Sequence, residues 1–199
     1  MNRTTILLGA TAVATFLLST AVAQAAAITT TQITPTTALP FFTYGSQQFL
    51  IGQINDGITA DSPFNGFASN GISAGRITFA LDQAYDLDSF TLWNDINVVN
   101  EGVRSFKLTF EDIGGNLLSS SATLTAVSQF APQVYSFASV AGVKTVQLDV
   151  LTSSLQIEIR EVAFNGVPTV SAVPEPETYA LMLAGLGLVG FMARHRKSA

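Results

Sequence analysis

The 199-residue sequence contains no cysteine. Disulfides, thiolate metal sites and thiol nucleophiles are therefore excluded, and an exported domain of this kind must hold by core packing or by an ion. Its one histidine, His195, lies at the far C-terminal end. No Ser–His or Cys–His pair and no histidine-built zinc site can form in the body of the chain. Bases are scarce as well. Between Ala26 and Val173, five of them (Arg76, Arg104, Lys107, Lys144 and Arg160) stand against twelve acids, a net charge of −7. That balance argues against nucleic acid or anionic lipid as partner and suits neutral glycans or divalent cations. The same stretch has no sustained 3.6-residue periodicity, no internal repeat and one tryptophan, Trp93.

What is present is first of all two addresses. At the front, Arg3 supplies a basic start, Ile6 to Leu18 an apolar run, and Ala23-Gln24-Ala25 an A-x-A site. This order predicts a signal peptide over residues 1–25, removed by signal peptidase, with an uncleaved anchor as the alternative. At the back stand three blocks in order: Val173-Pro174-Glu175-Pro176, an uncharged run from Tyr179 to Ala193, and the bases Arg194, Arg196 and Lys197. The prolines impose a stiff extended entry. As a helix, the apolar run would rise about 22 Å, short for a ~30 Å hydrocarbon core but extendable by its flanks. A helix apolar all round suits lipid better than the half-buried alternative. The bases place the chain end on the cytoplasmic side and everything before Val173 outside.

This tail resembles the PEP-CTERM sorting signal of exopolysaccharide-producing Gram-negative bacteria. The resemblance implies recognition by a membrane-embedded exosortase, cleavage near Pro-Glu-Pro, transient inner-membrane anchoring by the helix at 179–193, and delivery to the cell surface or extracellular matrix. Residues 173–199 are then the signal, and residues 26–172 are one domain.

That domain reads as β. Runs rich in Val, Ile, Thr and Phe recur about every ten residues between Gly, Asn, Asp, Pro and Ser, which predicts a sandwich or barrel. Ile28 to Phe42 reads as an edge strand plus loop, Gln48 to Gln53 as a short strand, and Asn55 to Gly75 as a long loop. Strands are expected over Arg76–Leu81 and Leu87–Trp93 with a turn at Asp82–Asp86. Further strands are expected over Arg104–Glu111, Leu117–Ala126, Val134–Phe137, Lys144–Leu151 and Gln156–Phe164. Gly114-Gly115 marks a hairpin. In the last strand Ile157, Ile159 and Glu161 share a phase, whereas Val162 and Phe164 take the other, which predicts a bulge near Arg160-Glu161. An inward Glu161 needs a partner or a metal.

The order of Ile54-Asn55-Asp56-Gly57, Ile77 to Leu87, Phe106 to Phe110, Val143 to Leu148 and Ile159 to Gly166 resembles the galactose-binding-like jelly roll of the discoidin, or F5/8 type C, class. The resemblance implies an all-β jelly-roll sandwich. It also implies a structural Ca²⁺ between the Asp-Gly loop and the last strand, at Asp56 and Glu161, with Asp61 and carbonyls around Ile58 to Ala60 adding oxygens. The alternative is a plain tight turn, with Glu161 paired to Arg76, Arg104 or Arg160.

Candidate ligand contacts are Trp93-Asn94-Asp95 at a strand end and Phe64 and Phe67 in the long loop, aromatics beside amides that could stack on sugar faces. The pairs Asp86/Asp88 and Glu111/Asp112 could suit glycoside hydrolysis, but they fall where Asp is simply a good turn residue. The expectation is a non-catalytic exported protein that contacts extracellular polysaccharide. A structural or adhesive matrix protein without a sugar site is the rival.

Overall fold

The computed structural model describes residues 25–60, 64–99, 101–169 and 176–196. The signal-peptide residues 1–24, Asp61, the sorting residues Val173, Pro174 and Glu175, and Lys197 lie outside them. In chain order come β1 (Ala26–Ala27), a 3₁₀ turn (Thr30–Gln32), β2 (Ile33–Thr36), β3 (Thr43–Tyr44) and β4 (Gln47–Gln48). A second 3₁₀ turn (Ile51–Asn55) leads to β5 (Phe67–Ala68), β6 (Gly75–Asn94), β7 (Val103–Glu111), β8 (Leu117–Ser120) and β9 (Leu124–Thr125). The domain closes with β10 (Gln133–Ser153) and β11 (Glu158–Pro168), and helix α1 (Pro176–Arg196) follows.

Two long strands organise the sheet. The expected reversal at Asp82–Asp86 is instead a bend inside β6, and the two runs expected around residues 134–151 are one strand, β10. The turn residues are spent on holding that bend. Asp82 Oδ1 accepts the Gln83 amide and the Tyr85 hydroxyl, Asp86 Oδ1 accepts the Gly142 amide, and Lys144 donates to the Leu81 and Asp82 carbonyls. Register shifts between Ser136 and Thr145 of β10 absorb the extra residues, with Gly142 at φ +76°.

Past the bend each strand changes layer. The first half of β6 pairs with β2 and with the end of β10, which also pairs with β7. The second half of β6 pairs with β11 and the start of β10. The two arms close on each other through phenylalanines. Phe79 meets Phe164 with ring centroids 5.4 Å apart, and Phe90 meets Phe106 at 5.7 Å. All four rings are fully buried, and their edge-to-face contacts add to the area they remove from water.

Elsewhere the expectations shift modestly. Gln48–Gln53 is not a strand. Gln47–Gln48 ends a two-stranded hairpin and the chain then enters the 3₁₀ turn at Ile51, where the Gln53 side chain accepts the Leu50 amide. The stretch Leu117–Ala126 breaks into β8 and β9; between them the Ser121 amide donates to the Leu108 carbonyl and its hydroxyl accepts the Leu108 amide, in place of a regular ladder. The last strand runs past Asn165-Gly166 to Pro168. Helix α1 spans the apolar tail. Among the described residues, no helix is long and apolar enough to cross a membrane.

Candidate functional site

The expected irregularity in the last strand is present. Ile159 pairs with Asn94 and Glu161 with Trp93, so Arg160 is the extra residue of a bulge. The bulge turns three polar or charged side chains, Glu158, Arg160 and Glu161, into buried positions. Each then serves a different loop.

Arg160 acts as a staple. Its guanidinium donates to the carbonyls of Thr59, Phe130 and Asp95 and lies over the Phe130 ring at 4.9 Å. Beside it, Gly66 must be glycine: its φ is +140°, and a Cβ would sit 2.5 Å from the Ile159 carbonyl oxygen.

Glu161 meets the early Asp-Gly loop. Its Oε2 accepts the Asp56 amide at 3.3 Å and its Oε1 the Gly57 amide at 3.1 Å. Burial pushes its carboxyl up to about 7, opposed by those two amides and reinforced by the nearby Asp56 charge. Asp56 itself turns to Ile58 N and the Asn65 side-chain amide. The alternative pairing with Arg76 is absent, since Arg76 forks onto Asp149. A cavity of about 360 Å³ opens here, walled by Ile28, Thr30, Asn55, Gly57, Trp93 and Glu161.

As a calcium site this corner fits in part. The Asp56 charge lies near enough to act on Glu161, each oxygen of Glu161 keeps a lone pair beyond its amide bond, and the desolvated charge calls for compensation. Among the described residues no group of three His, Cys, Asp or Glu gathers there or elsewhere. Asp61, the third expected ligand, lies outside the described residues.

A second cavity, about 410 Å³, sits among the loops on the Glu158 side. That volume falls within the roughly 300–1,000 Å³ usual for small-ligand sites. Four aromatics line it: Phe42, Tyr44, Phe49 and Phe64. Phe42 stacks on Phe49 at 6.1 Å, and Phe49 forms a small core with Ala68 and Ile96. Tyr44 is carried out on the β3–β4 hairpin and is 75% exposed, and Phe64 is 49% exposed. Polar groups complete the wall: Asn97 and Glu101 from the loop after β6, and Gln156 and Glu158 before and at the start of β11. Glu158 is 4% exposed; its Oε1 accepts Gln156 Nε2, while its Oε2 has no hydrogen-bond partner. Burial raises its carboxyl pKa and the Glu101 and Asp95 charges push the same way, opposed by donation from the Gln156 side chain and the Ile96 backbone amide.

Of the residues singled out from sequence, Phe64 lies at this cavity and Trp93 at the Glu161 corner. Phe67, Asn94 and Asp95 are fully buried and cannot be stacking or contact surfaces. Phe67 fills the core. Asn94 bonds both the Val103 amide and carbonyl, and Asp95, at φ +52°, accepts the Glu101 and Gly102 amides. They brace the loop that brings Asn97 and Glu101 to the cavity. The acids of the two pairs make local contacts: Asp86 accepts the Gly142 amide at the bend, Asp88 the Ser89 hydroxyl, Asp112 the Gly114 and Asn116 amides of the hairpin, and Glu111 the Gln147 side chain. Phe42, Tyr44, Phe49, Glu101 and Glu158 were not foreseen. The aromatic spacing Phe41-Phe42-x-Tyr44 in a proline-bounded loop was the available signal.

Comparison with known proteins places these features. The PEP-CTERM protein-sorting motif matches residues 172–197, marking the chain for export with membrane-anchored sorting by an exosortase-type system. No curated protein matches in sequence. Among solved structures, a family 32 carbohydrate-binding module from Clostridium perfringens, in complex with galactose, superposes with a TM-score of 0.59 at 13% identity. That match covers 71% of this chain and 99% of that one. The F5/8 type C domain of a Bacteroides fragilis protein gives 0.55 at 13% identity, covering 72% and 97%. A family 89 glycoside hydrolase from Clostridium perfringens gives 0.52 at 19% identity, covering 72% of this chain and 15% of that one. The fold is the discoidin-like jelly-roll β-sandwich.

Proposed function

We propose that this is a non-catalytic, exported carbohydrate-binding protein whose glycan site is the aromatic cavity on the Glu158 side of the loops. The supporting observation is that cavity itself: aromatic walls that can stack on a sugar face, with Asn97, Gln156 and two carboxylates placed to bond hydroxyls. It sits on a fold shared with carbohydrate-binding modules, and of the acids considered for hydrolysis Asp86 and Asp112 are committed to a bend and a turn. After removal of residues 1–25 by signal peptidase and exosortase processing near Pro174-Glu175-Pro176, the domain would reach the cell surface or matrix and associate there with extracellular polysaccharide.

Calcium belongs to this reading as a structural ion. Asp56 and Glu161, with carbonyls of the Ile58–Ala60 stretch, would hold it. It would supply charge compensation for the buried Glu161 and tie the loop to the last strand.

The test is binding of the purified protein to a polysaccharide panel that includes matrix from the producing cells, with calcium and with chelator. Saturable binding that weakens at least about tenfold in Tyr44→Ala or Phe64→Ala supports the site. Absence of binding to every glycan would sink it and favour an adhesive protein recognising other proteins.

A further inference from the structure

The same cavity carries a more specific chemical signature, which rests on the glycan-binding reading and deepens it. The Asn97 and Gln156 amides and the Tyr44 hydroxyl can serve a sugar's hydroxyls, and the charge of the wall adds a further preference. Here the charged groups of the wall are of one sign. Glu101 and Glu158 contribute carboxylates, and among the described residues no Lys, Arg or His lines the cavity. The neighbouring Arg160 sends hydrogen bonds to the Thr59, Phe130 and Asp95 carbonyls. Glu158 is more than nine-tenths buried; Gln156 Nε2 serves its Oε1, while its Oε2 has no hydrogen-bond partner, a costly arrangement for a buried carboxylate oxygen. Around these acids stand the four aromatic rings, whose faces are negative and attract a cation within about 6 Å. Aromatic faces plus an unsatisfied carboxylate are complementary to an ammonium group on an apolar body.

We infer that the cavity selects a protonated amino sugar, the unit of a de-N-acetylated hexosamine polymer, with its ammonium set between Glu101 and Glu158 and its ring stacked on the aromatic walls. An acetamido group at the same position would put an uncharged, acceptor-bearing substituent against two carboxylates. Discrimination therefore follows from charge and not from ring shape. The shared chemistry, a primary ammonium on an apolar body, also occurs in a lysine side chain, and the experiment separates the two sources.

The test is calorimetric titration of the purified protein at low salt, at a pH where the amines are protonated. The probes are a β-1,4-linked glucosamine tetramer, its fully N-acetylated counterpart, galactose and n-butylammonium. The expected result is that the amino tetramer binds at least about tenfold tighter than the N-acetylated one. Glu158→Gln and Glu101→Gln should each remove most of that preference, while Asp88→Asn, outside the cavity, leaves it intact. Glu101 is half-buried, so its variant reports even where Glu158→Gln disturbs folding. Equal or weaker binding of the amino tetramer, with galactose or the N-acetylated tetramer bound, overturns this inference and leaves the glycan-binding reading standing. Butylammonium bound as tightly as the amino tetramer upholds the ammonium pocket and overturns the sugar as its ligand. No binding by any of the four probes overturns the inference, and the polysaccharide panel then decides the broader reading.

Discussion

Removing cations from the Glu161 corner should make folding stability fall as pH rises through neutrality. In the cation-free fold the Glu161 carboxyl is raised from 4.5 to about 7 by burial. The folded protein therefore keeps a proton that the unfolded chain gives up above 4.5. The favourable contribution is complete below 4.5, declines between 4.5 and 7, and is gone above 7. At 1.36 kcal/mol per pH unit the full interval corresponds to roughly 3.4 kcal/mol. The adjoining residues Asp56, Gly57 and Ile58 are exposed, and water reaching that loop screens the site, so about half that value, near 1.5–2 kcal/mol, is expected. In a domain of this size that is about 4–7 °C in Tm. The assay is thermal melting of wild type and Glu161→Gln from pH 5 to 8.5 in chelator, and again in millimolar Ca²⁺. The difference between the two proteins isolates Glu161 from every other titrating group. In chelator, wild type should lose that margin relative to the variant as pH climbs. In calcium the decline between 4.5 and 7 should be offset or reversed and then level off above 7, because a bound cation favours the ionised carboxylate. A flat difference in chelator refutes the electrostatic reasoning, and identical curves with and without calcium refute the ion.

Gly66→Ala should destabilise by at least about 2 kcal/mol in urea unfolding, since its Cβ meets the Ile159 carbonyl and φ is +140°. Arg160→Met strips donors from three carbonyls and should cost about 2–4 kcal/mol; a loss under 1 kcal/mol would show that the staple is dispensable. Tyr44→Ala and Phe64→Ala, both exposed, should leave Tm within about 1 °C while reducing glycan affinity, a separation that a packing role would not produce. Arg76→Ala breaks a forked but exposed pair with Asp149 and should change stability by less than about 1 kcal/mol.

Much of this protein is written in local sequence. Period-two patterning in segments such as Phe106-Lys107-Leu108-Thr109-Phe110 marks a strand because alternate side chains must go to opposite faces. The Pro-Glu-Pro block, apolar run and basic end identify the sorting signal by their order alone. The phase change from Ile159 to Val162 exposed the bulge, since a strand cannot bury both phases without an extra residue.

The continuity of β6 and β10 was not legible. Asp82 to Asp86 has turn chemistry, and only the opposing strand, with its Gly142 and Lys144 contacts, makes it a bend instead of a reversal. The aromatic cavity was hidden for a related reason. Its walls come from residues 42, 44, 49, 64, 68, 97, 98, 101, 156 and 158, brought together by the β3–β4 hairpin, the Asp95-braced loop and the Arg160 bulge. Burial then decided roles that residue type could not: Phe64 and Phe67 are three positions apart, yet one lines the cavity and the other, in β5, fills the core. Periodicity constrains neighbours along the chain, so the strands and the address were determined by sequence. Which distant loops meet, and which of their side chains water can reach, was decided only when the two layers packed.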